Sequence, residues 1–354
     1  MKIVHCFYTF EMGGAQVLAV DLINGMCGAH EMHLVVVNNI HSSALLRKLN
    51  KRVVVHLINR KEGSRNPWPL VKFNLLLRQI SPDVIHLHEP NIGKIIKAGV
   101  GKKIYTIHDV GIPTTDYHHY DALVAISDAV HKDVAHRINR PIITVYNGID
   151  ASAFRKRSGY KLEGEKIKLV QLSRLMHEKK GQDVLLQALE IIKDQYGFSN
   201  FTLDLVGIGP SLDYLEELTS KLGLTEEVVF SGERDRDWLY LHLANYHLLV
   251  QPSRYEGFGL TILEGFAAGL PVLASDIEGP AEIISRTSRG FLFRNGDIQD
   301  CAKKLIQLLS DYETGKIEQL MNATVPVTEQ EYSVAHCIEG YLNLYKNLIS
   351  NKIT

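Results

Sequence analysis

Two carboxylates stand eight residues apart in Glu256-Gly257-Phe258-Gly259-Leu260-Thr261-Ile262-Leu263-Glu264, with two glycines and the predicted start of a helix between them. Glycines at a helix start leave backbone N–H groups open, which makes a nest for an anion or for hydroxyl oxygens. Glu256 in the loop and Glu264 about one turn into the helix can then accept hydrogen bonds from hydroxyls at two ends of one ligand. A carboxylate pair also suits glycoside hydrolysis. An anion nest, however, is a poor neighbour for a hydrolase acid, which needs a raised pKa. A second segment, Ser173-Arg174-Leu175-Met176-His177-Glu178-Lys179-Lys180-Gly181, joins a planar guanidinium fork to lysine point charges. That pairing suits a diphosphate, although read alone the segment is equally a solvated basic loop. A third, Met12-Gly13-Gly14-Ala15-Gln16, lets the backbone approach a ligand at a helix N-terminus or is a plain turn. The fourth is His108, at the end of the predicted strand in Tyr105-Thr106-Ile107-His108-Asp109, where it faces a ligand or is simply capped by Asp109.

All four follow predicted strands. Apolar, β-branched runs at Ile3–Phe7, His33–Val37, Val53–Leu57, Val84–Leu87, Ile104–Ile107, Ala122–Ile126 and Ile142–Val145 alternate with helical patterns. Near-continuous apolar strands between helices predict a parallel sheet covered on both faces. The rhythm stops in the polar segment from Asp150 to Gly159, a candidate linker, and then restarts. Ile167–Leu172, Phe201–Val206, Val228–Ser231, His247–Gln251 and Pro271–Ala274 read as strands, with a helix over Gln182–Tyr196. Val334, Ile338, Tyr341, Tyr345 and Leu348 follow a helical period. The expectation is α/β: two doubly wound, Rossmann-like domains facing a cleft, 1–155 and 156–330, with a helix in 331–354 that caps the second sheet or crosses back to the first domain. Ligands of open parallel sheets bind at the carboxyl ends of the strands, which is where the four segments fall.

Two domains also fit the 354 residues, and 45% hydrophobic residues excludes a disordered chain. Cys6, Cys27, Cys301 and Cys337 form no CxxC pair and are expected to be reduced thiols of a cytosolic protein. No run is long and apolar enough to span a membrane, and the N-terminal stretch, which runs into Glu11, does not read as a signal peptide. Gly207-Ile208-Gly209-Pro210 lacks the third glycine of a dinucleotide fingerprint and is expected to be a plain strand-to-helix turn. Gly99-Val100-Gly101-Lys102-Lys103 lacks the spacing of a phosphate loop. Twelve of the 16 histidines precede residue 151, but none forms HExxH. His86 and His88 are expected on opposite faces of a strand, unable to share an ion. No metal is expected.

Taken in order, these features resemble the retaining glycosyltransferases of family 4, which have the GT-B fold. The likeness rests on Gly13-Gly14-Ala15, Ile107-His108-Asp109, Ala125-Ile126-Ser127-Asp128, Val145-Tyr146-Asn147-Gly148-Ile149-Asp150, Ser173-Arg174-Leu175, Lys180-Gly181 and the run from Glu256 through Val272. It covers essentially the whole chain, and the Glu256–Glu264 block is its most specific part. The resemblance implies sugar transfer, with retention, from a nucleoside diphosphate sugar to a saccharide or lipid-linked saccharide. The nucleotide sugar, a UDP-sugar, is a co-substrate, and no cofactor is implied. Arg174 and Lys180 would hold the diphosphate, with Ser173 and Lys179 beside them; Lys180 keeps the family spacing to Gly181 and Asp183. Glu264 would bind the nucleotide ribose and Glu256 the sugar hydroxyls, while Gly257, Phe258, Gly259, Leu260 and Thr261 offer backbone contacts. His108 would lie near the donor sugar and the reacting centre, and Gly14 against the diphosphate and acceptor. Two other readings use the same residues: a nucleotide-sugar epimerase or hydrolase, and a non-catalytic sugar-binding module. The complete set Arg174, Lys180, Glu256 and Glu264 speaks against the last.

The formal charge of −1 excludes a uniformly basic nucleic-acid binder, yet it hides a split. Residues 1–150 carry +5 and the remainder −6; within 41–103 there are 13 basic residues against Glu62, Asp83 and Glu89. Basic groups at an anionic membrane contribute about 1 kcal/mol each, and Trp68 between Pro67 and Pro69 suits an interface. Residues 41–103 are therefore expected to dock the first domain on the inner face of the cytoplasmic membrane; a solvated basic face is the plainer reading.

Overall fold

The computed structural model describes residues 1–97, 99–162, 164–322 and 331–350. The ends of two expected spans, 323–330 and 351–354, lie outside the described residues. The chain divides into two compact units, one built from Met1–Gly148 with the segment that starts at Glu331, the other starting at Ile149.

Among the described residues the first unit carries seven strands: β1 (Lys2–Phe7), β2 (Glu31–Asn38), β3 (Val54–Arg60), β4 (Val84–Leu87), β5 (Lys102–Ile107), β6 (Ala122–Ala125) and β7 (Ile143–Thr144). All pair in parallel, in the order β3-β2-β1-β4-β5-β6-β7. The second has β8 (Ile167–Leu172), β9 (Phe201–Val206), β10 (Val228–Gly232), β11 (Leu248–Gln251), β12 (Val272–Asp276) and β13 (Phe291–Arg294), in the order β10-β9-β8-β11-β12-β13. Each sheet winds outward in one direction from its first strand and then restarts on that strand's other side. The loops after β1 and β4, and after β8 and β11, therefore diverge and leave a crevice at the switch point of each sheet. The segments singled out in the sequence follow these strands and β5.

The central strands are buried on both faces, as Val, Ile and Leu runs require. β13 has no counterpart in the sequence reading. Its Phe-Leu-Phe run is short, lies at the sheet edge and ends on the exposed Arg294, so it lacks the long apolar signature of a central strand.

The segment read as a linker is not one, and the unit boundary falls at 148/149 rather than 155/156. Phe154 is buried edge-on against Tyr240, the Arg155 N–H donates to the Tyr240 carbonyl at 2.8 Å, and the Arg157 N–H donates to Ala268 at 2.9 Å. A polar sequence masked a strap that satisfies its backbone groups on the second unit. The helix Val334–Ile349 belongs to the first unit. Its face of Cys337, Tyr341, Leu344, Tyr345 and Leu348 is buried in the core that holds Ile23, Val84 and Ile104. Gly25 and Gly340 mark its close approaches: a Cβ on either would meet Ile338 or Val145 at 2.3 and 3.0 Å.

Candidate functional site

In the second unit the loop after β8 folds back on itself. The Ser173 N–H donates to Val206 and the Leu175 N–H to Ile208, at 3.1 and 3.0 Å, so the loop lies against the turn after β9. That turn is Gly207-Ile208-Gly209-Pro210, read from sequence as a plain turn. It does more than reverse the chain, because a Cβ on Gly207 would sit 1.9 Å from the Ser173 carbonyl oxygen and one on Gly209 2.2 Å from that of Leu175. The glycines let two backbones touch and so shape the loop that presents Arg174. The Gly-x-Gly after a strand was the available signal. Ser211 adds to the seam: its hydroxyl accepts from the His177 N–H at 3.1 Å.

Gln182 donates to the Ser173 hydroxyl at 2.9 Å and to the Arg174 carbonyl at 3.1 Å. Arg174 itself is exposed, and among the described residues its guanidinium has no protein partner. Lys180 differs. Its ammonium is ion-paired with Glu256, both side chains being 18% exposed. The Glu256 carboxylate also accepts from Gln251 at 3.3 Å, and the oxygen of that amide is held by the Thr261 hydroxyl at 2.8 Å. Lys179 lies instead over the Tyr255 ring, 4.9 Å from its centroid. The two lysines thus part ways: Lys180 joins the carboxylate loop and Lys179 covers an aromatic face.

Arg254, passed over in the sequence, clamps the two loops together. Its fork grips Asp183 at 2.8 and 2.7 Å and donates to the His177 carbonyl at 2.6 Å. A bidentate guanidinium–carboxylate pair fixes orientation as well as distance. Gly259 caps the helix Leu260–Ala267 with a left-handed φ of 109°. Gly279 supports the Glu256 loop from behind, since a Cβ there would meet the Glu256 carbonyl oxygen and the Phe258 nitrogen at 2.7 Å. Glu264 sits part-buried within that helix, and Ser173 lies at the start of the β8 loop.

In the first unit Gly13 is the N-cap of the helix Gly14–Met26, so Gly14 opens that helix after β1. His108 follows β5 directly and is part-buried. It does not stand alone. His86 on β4 and His88 just past its end lie on the same side with stacked rings 4.3 Å apart, which corrects the expectation of opposite faces. The pleat has a period of two, so residues i and i+2 share a side. His5, the register partner of His86 on β1, joins them. Ligand atoms of His5, His86 and His88 lie within 4.8 Å of one another. Both ring nitrogens of His86 and of His88 are engaged with neighbours, though, and so is Nδ1 of His5. His86 contacts the Tyr345 hydroxyl at 2.6 Å and the Thr106 hydroxyl at 2.7 Å, and His88 bridges His5 and His108 at 3.1 and 3.0 Å.

Glu89, next along the chain, is a carboxyl that in the sequence stands out only as one of three acidic groups in a basic stretch. It accepts the Tyr8 N–H at 3.1 Å, and its other oxygen is buried without a partner. Burial pushes it up to about 8, so at neutral pH it carries its proton. A carboxylate two residues past a strand's carboxyl end was the signal.

Burial drives the imidazole of His5 down to about 3 and those of His86 and His88 well below the ordinary 6.5. Above that unfolded-state value both states are neutral and the shift has no effect. Below it the unfolded chain binds protons that the folded unit refuses, so stability falls as pH falls. Each ring costs up to about 1.4 kcal/mol per pH unit in that window. The first unit should therefore lose stability between pH 6.5 and pH 5 faster than the second, where His247 is the one ring so lowered among the described residues. Calorimetry across this range reads the two transitions; a first-unit transition that does not move contradicts the burial of these rings as neutral groups.

Two family models match consecutive parts of the chain, Glycosyltransferase Family 4 over residues 12–153 and Glycosyl transferases group 1 over residues 153–322. The chain is 26% identical over 341 residues to N-acetyl-alpha-D-glucosaminyl L-malate synthase of Bacillus anthracis, with 86% of each chain covered. It is 32% identical over 179 residues to the GDP-mannose-dependent alpha-(1-6)-phosphatidylinositol monomannoside mannosyltransferase of Mycobacterium tuberculosis, a match to 46% of either protein. In fold it is similar to Anabaena Alr3699/HepE, solved with UDP-glucose, at a TM-score of 0.79, 21% identity and coverage of 98% and 100% of the two chains.

Proposed function

The chain belongs to the glycosyltransferases of the GT-B, family 4 type, and from that premise we propose that it moves a hexose or N-acetylhexosamine from a UDP-sugar to a saccharide or lipid-linked saccharide, with retention, in cell-surface polysaccharide or glycan synthesis. The observation that carries this reading is the Lys180–Glu256 ion pair, together with an Arg174 that has no protein partner among the described residues. Lys180, a cation suited to a diphosphate, and Glu256, a carboxylate suited to sugar hydroxyls, lie on two loops joined by the Arg254 clamp, and the Arg174 carbonyl is held by Gln182.

In the reaction the bond from the anomeric carbon to the diphosphate oxygen breaks, and a bond to the acceptor oxygen forms on the same face. The acceptor proton passes to the departing phosphate oxygen, so no side-chain base is assigned. Charge developing on the diphosphate is met by Arg174, Lys180 and the backbone N–H groups from Gly257 to Thr261, with no metal or other cofactor. Ser173 and Lys179 flank the phosphates, Glu264 takes the ribose, Glu256 the sugar hydroxyls, and His108 the reacting sugar; Gly14 lies against the diphosphate and acceptor. Support for a nucleotide donor comes from the relatives, whose names include UDP-glucose and GDP-mannose. A panel of UDP- and GDP-sugars tested for thermal stabilisation identifies the donor, because a ligand of the folded state raises its melting temperature. Product analysis with and without cell lipid extract then tests transfer. UDP released at the same rate without any acceptor would favour a hydrolase, and an isomerised nucleotide sugar an epimerase.

No helix among the described residues is long and apolar enough to cross a membrane. The acceptor reading adds a peripheral one, in the cytoplasm against the inner membrane face. On the helix Trp68–Ile80, Phe73, Leu77 and Ile80 are buried, whereas Trp68, Val71 and Leu75 form an exposed stripe at helical spacing. Exposed Arg65, Lys72 and Arg78 flank that stripe, as suits anionic lipid. Arg60, counted with the basic stretch, is spent on Asn38 and Ser64. Trp68→Ala with Leu75→Ala should lower co-sedimentation with anionic vesicles at least fivefold; binding unaffected by the substitutions or by lipid charge would count against docking.

A further inference from the structure

His5, His88 and His108 form a continuous hydrogen-bonded chain. His5 Nδ1 meets His88 Nε2 at 3.1 Å, and His88 Nδ1 meets His108 Nε2 at 3.0 Å. The planes of adjacent rings are about 20° from parallel, at centroid separations of 5.3 Å. Phe7 lies flat on His88 at 4.1 Å with an angle of 6°, and His86 stacks on it as well. His86 is in turn fixed by Tyr345 and Thr106, and Thr106 by the Tyr341 hydroxyl at 2.9 Å. The chain is therefore wedged in place from the helix Val334–Ile349.

A neutral imidazole has one N–H and one bare nitrogen. Burial keeps these rings neutral, so each of the two links needs a donor on one side and a lone pair on the other. Only two proton arrangements satisfy both links, and they differ in every ring at once. The far end decides between them. His5 Nε2 is buried with no partner. A buried N–H without an acceptor is rarer in folded proteins than an under-satisfied acceptor, so the bare nitrogen belongs there. His5 Nδ1–H then donates to His88, His88 Nδ1–H donates to His108, and His108 is left with its proton on Nδ1. His108 is part-buried, whereas His5 and His88 are 0% and 7% exposed, so that N–H is at the end of the chain a ligand can reach.

We propose that His5 and His88 are positioning residues that lock His108 in its Nδ1–H form, so that His108 offers the substrate a hydrogen-bond donor and not a base. The catalytic half of this inference rests on the placement of His108 at the reacting sugar under Proposed function; the tautomer itself does not. It is read directly from nitrogen-15 long-range correlation spectra of the histidine-labelled full chain, with His108→Gln used to assign the His108 signals. The expected result is a protonated Nδ1 and a bare Nε2 on His108. In His5→Phe, which keeps an aromatic ring but no donor, the His108 nitrogens should move toward values averaged between tautomers, and kcat should fall tenfold or more while the donor KM stays within threefold. His5→Asn places an amide N–H where Nδ1 stands and should restore both, which a purely packing role for the ring would not predict.

A His108 protonated on Nε2 in the unaltered protein overturns the proposal, and that spectrum needs no variant to fold. Unchanged His108 signals in a folded His5→Phe overturn it as well. If the tautomer is as stated but His108→Ala turns over at the unaltered rate, the relay stands, and the placement of His108 at the sugar falls.

Discussion

Arg174→Ala and Lys180→Ala should each lower kcat/KM by roughly 10²-fold or more, and they should differ in everything else. A hydrogen bond to a charged group contributes about 1.5–3 kcal/mol, and about 1.36 kcal/mol is a tenfold change in rate. The effect grows where negative charge develops on the diphosphate and water is excluded. Arg174 has no protein partner among the described residues, so removing it should leave the melting temperature of the free protein unchanged while donor-induced stabilisation shrinks. Lys180 is paired with Glu256. Its removal leaves a mostly buried carboxylate with Gln251 as its remaining neighbour at 3.3 Å, and an uncompensated buried charge is costly. Lys180→Ala should therefore lose stability as well as turnover. Adding Glu256→Gln should return stability without returning activity. Steady-state kinetics and thermal melts of the four proteins check this; near-normal turnover in both single variants would remove the diphosphate assignment.

Gly181→Ala carries the second large effect, from one added methyl group. Gly181 has φ 65°, and a Cβ there would sit 1.9 Å from the Pro252 carbonyl oxygen. A left-handed conformation costs an ordinary residue roughly 1–2 kcal/mol, and the clash with backbone cannot be relieved by a side-chain rotation. One loop must move off the other. That motion breaks the seam in which the Arg254 N–H donates to Lys179 at 2.8 Å and the Arg254 fork grips Asp183. Lys180, the preceding residue, moves with it. A misplacement of about 1 Å can cost 10²-fold in rate, so activity and donor-induced stabilisation should both be largely lost, with a lower melting temperature for the second unit. Gly111→Ala is the control: its φ is 72° but nothing lies within 4 Å of the added Cβ, so it carries the backbone strain without the contact. Equal losses in the two variants would show that the close approach to Pro252 is not what matters.

Most of the scaffold was legible because its signals are local. The strands Val84–Leu87, Ile167–Leu172 and Phe201–Val206 and the helix Gln182–Tyr196 have the bounds read from sequence. Buried parallel strands must be apolar on both faces, and that requirement is written in consecutive residues. The edge strand β13 escaped because an edge needs neither length nor full burial. The segment from Asp150 to Gly159 was taken for a linker because polar composition says nothing about where backbone donors end up. The candidate residues Arg174, Lys180, Glu256 and Glu264 stood out because charged groups and glycines after strands are conspicuous in a sequence.

By itself, then, the sequence determined two wound sheets, the strand ends that carry polar groups, and the residue types at those ends. Which groups meet was decided by tertiary structure. Lys180 and Glu256 are 76 residues apart and His86 and Tyr345 are 259 apart, separations at which no periodicity operates. Lys180 reaches Glu256 while its neighbour Lys179 settles over Tyr255, a division that adjacency in the sequence does not reveal. The histidines show the division most clearly. Their spacing on β4 was in the sequence, but the chain through His5 and His88 to His108 exists only because three strands bring those rings into register and the C-terminal helix seals them from water. Burial turns separate titratable rings into neutral groups that must share protons, and burial is a property of the assembled fold.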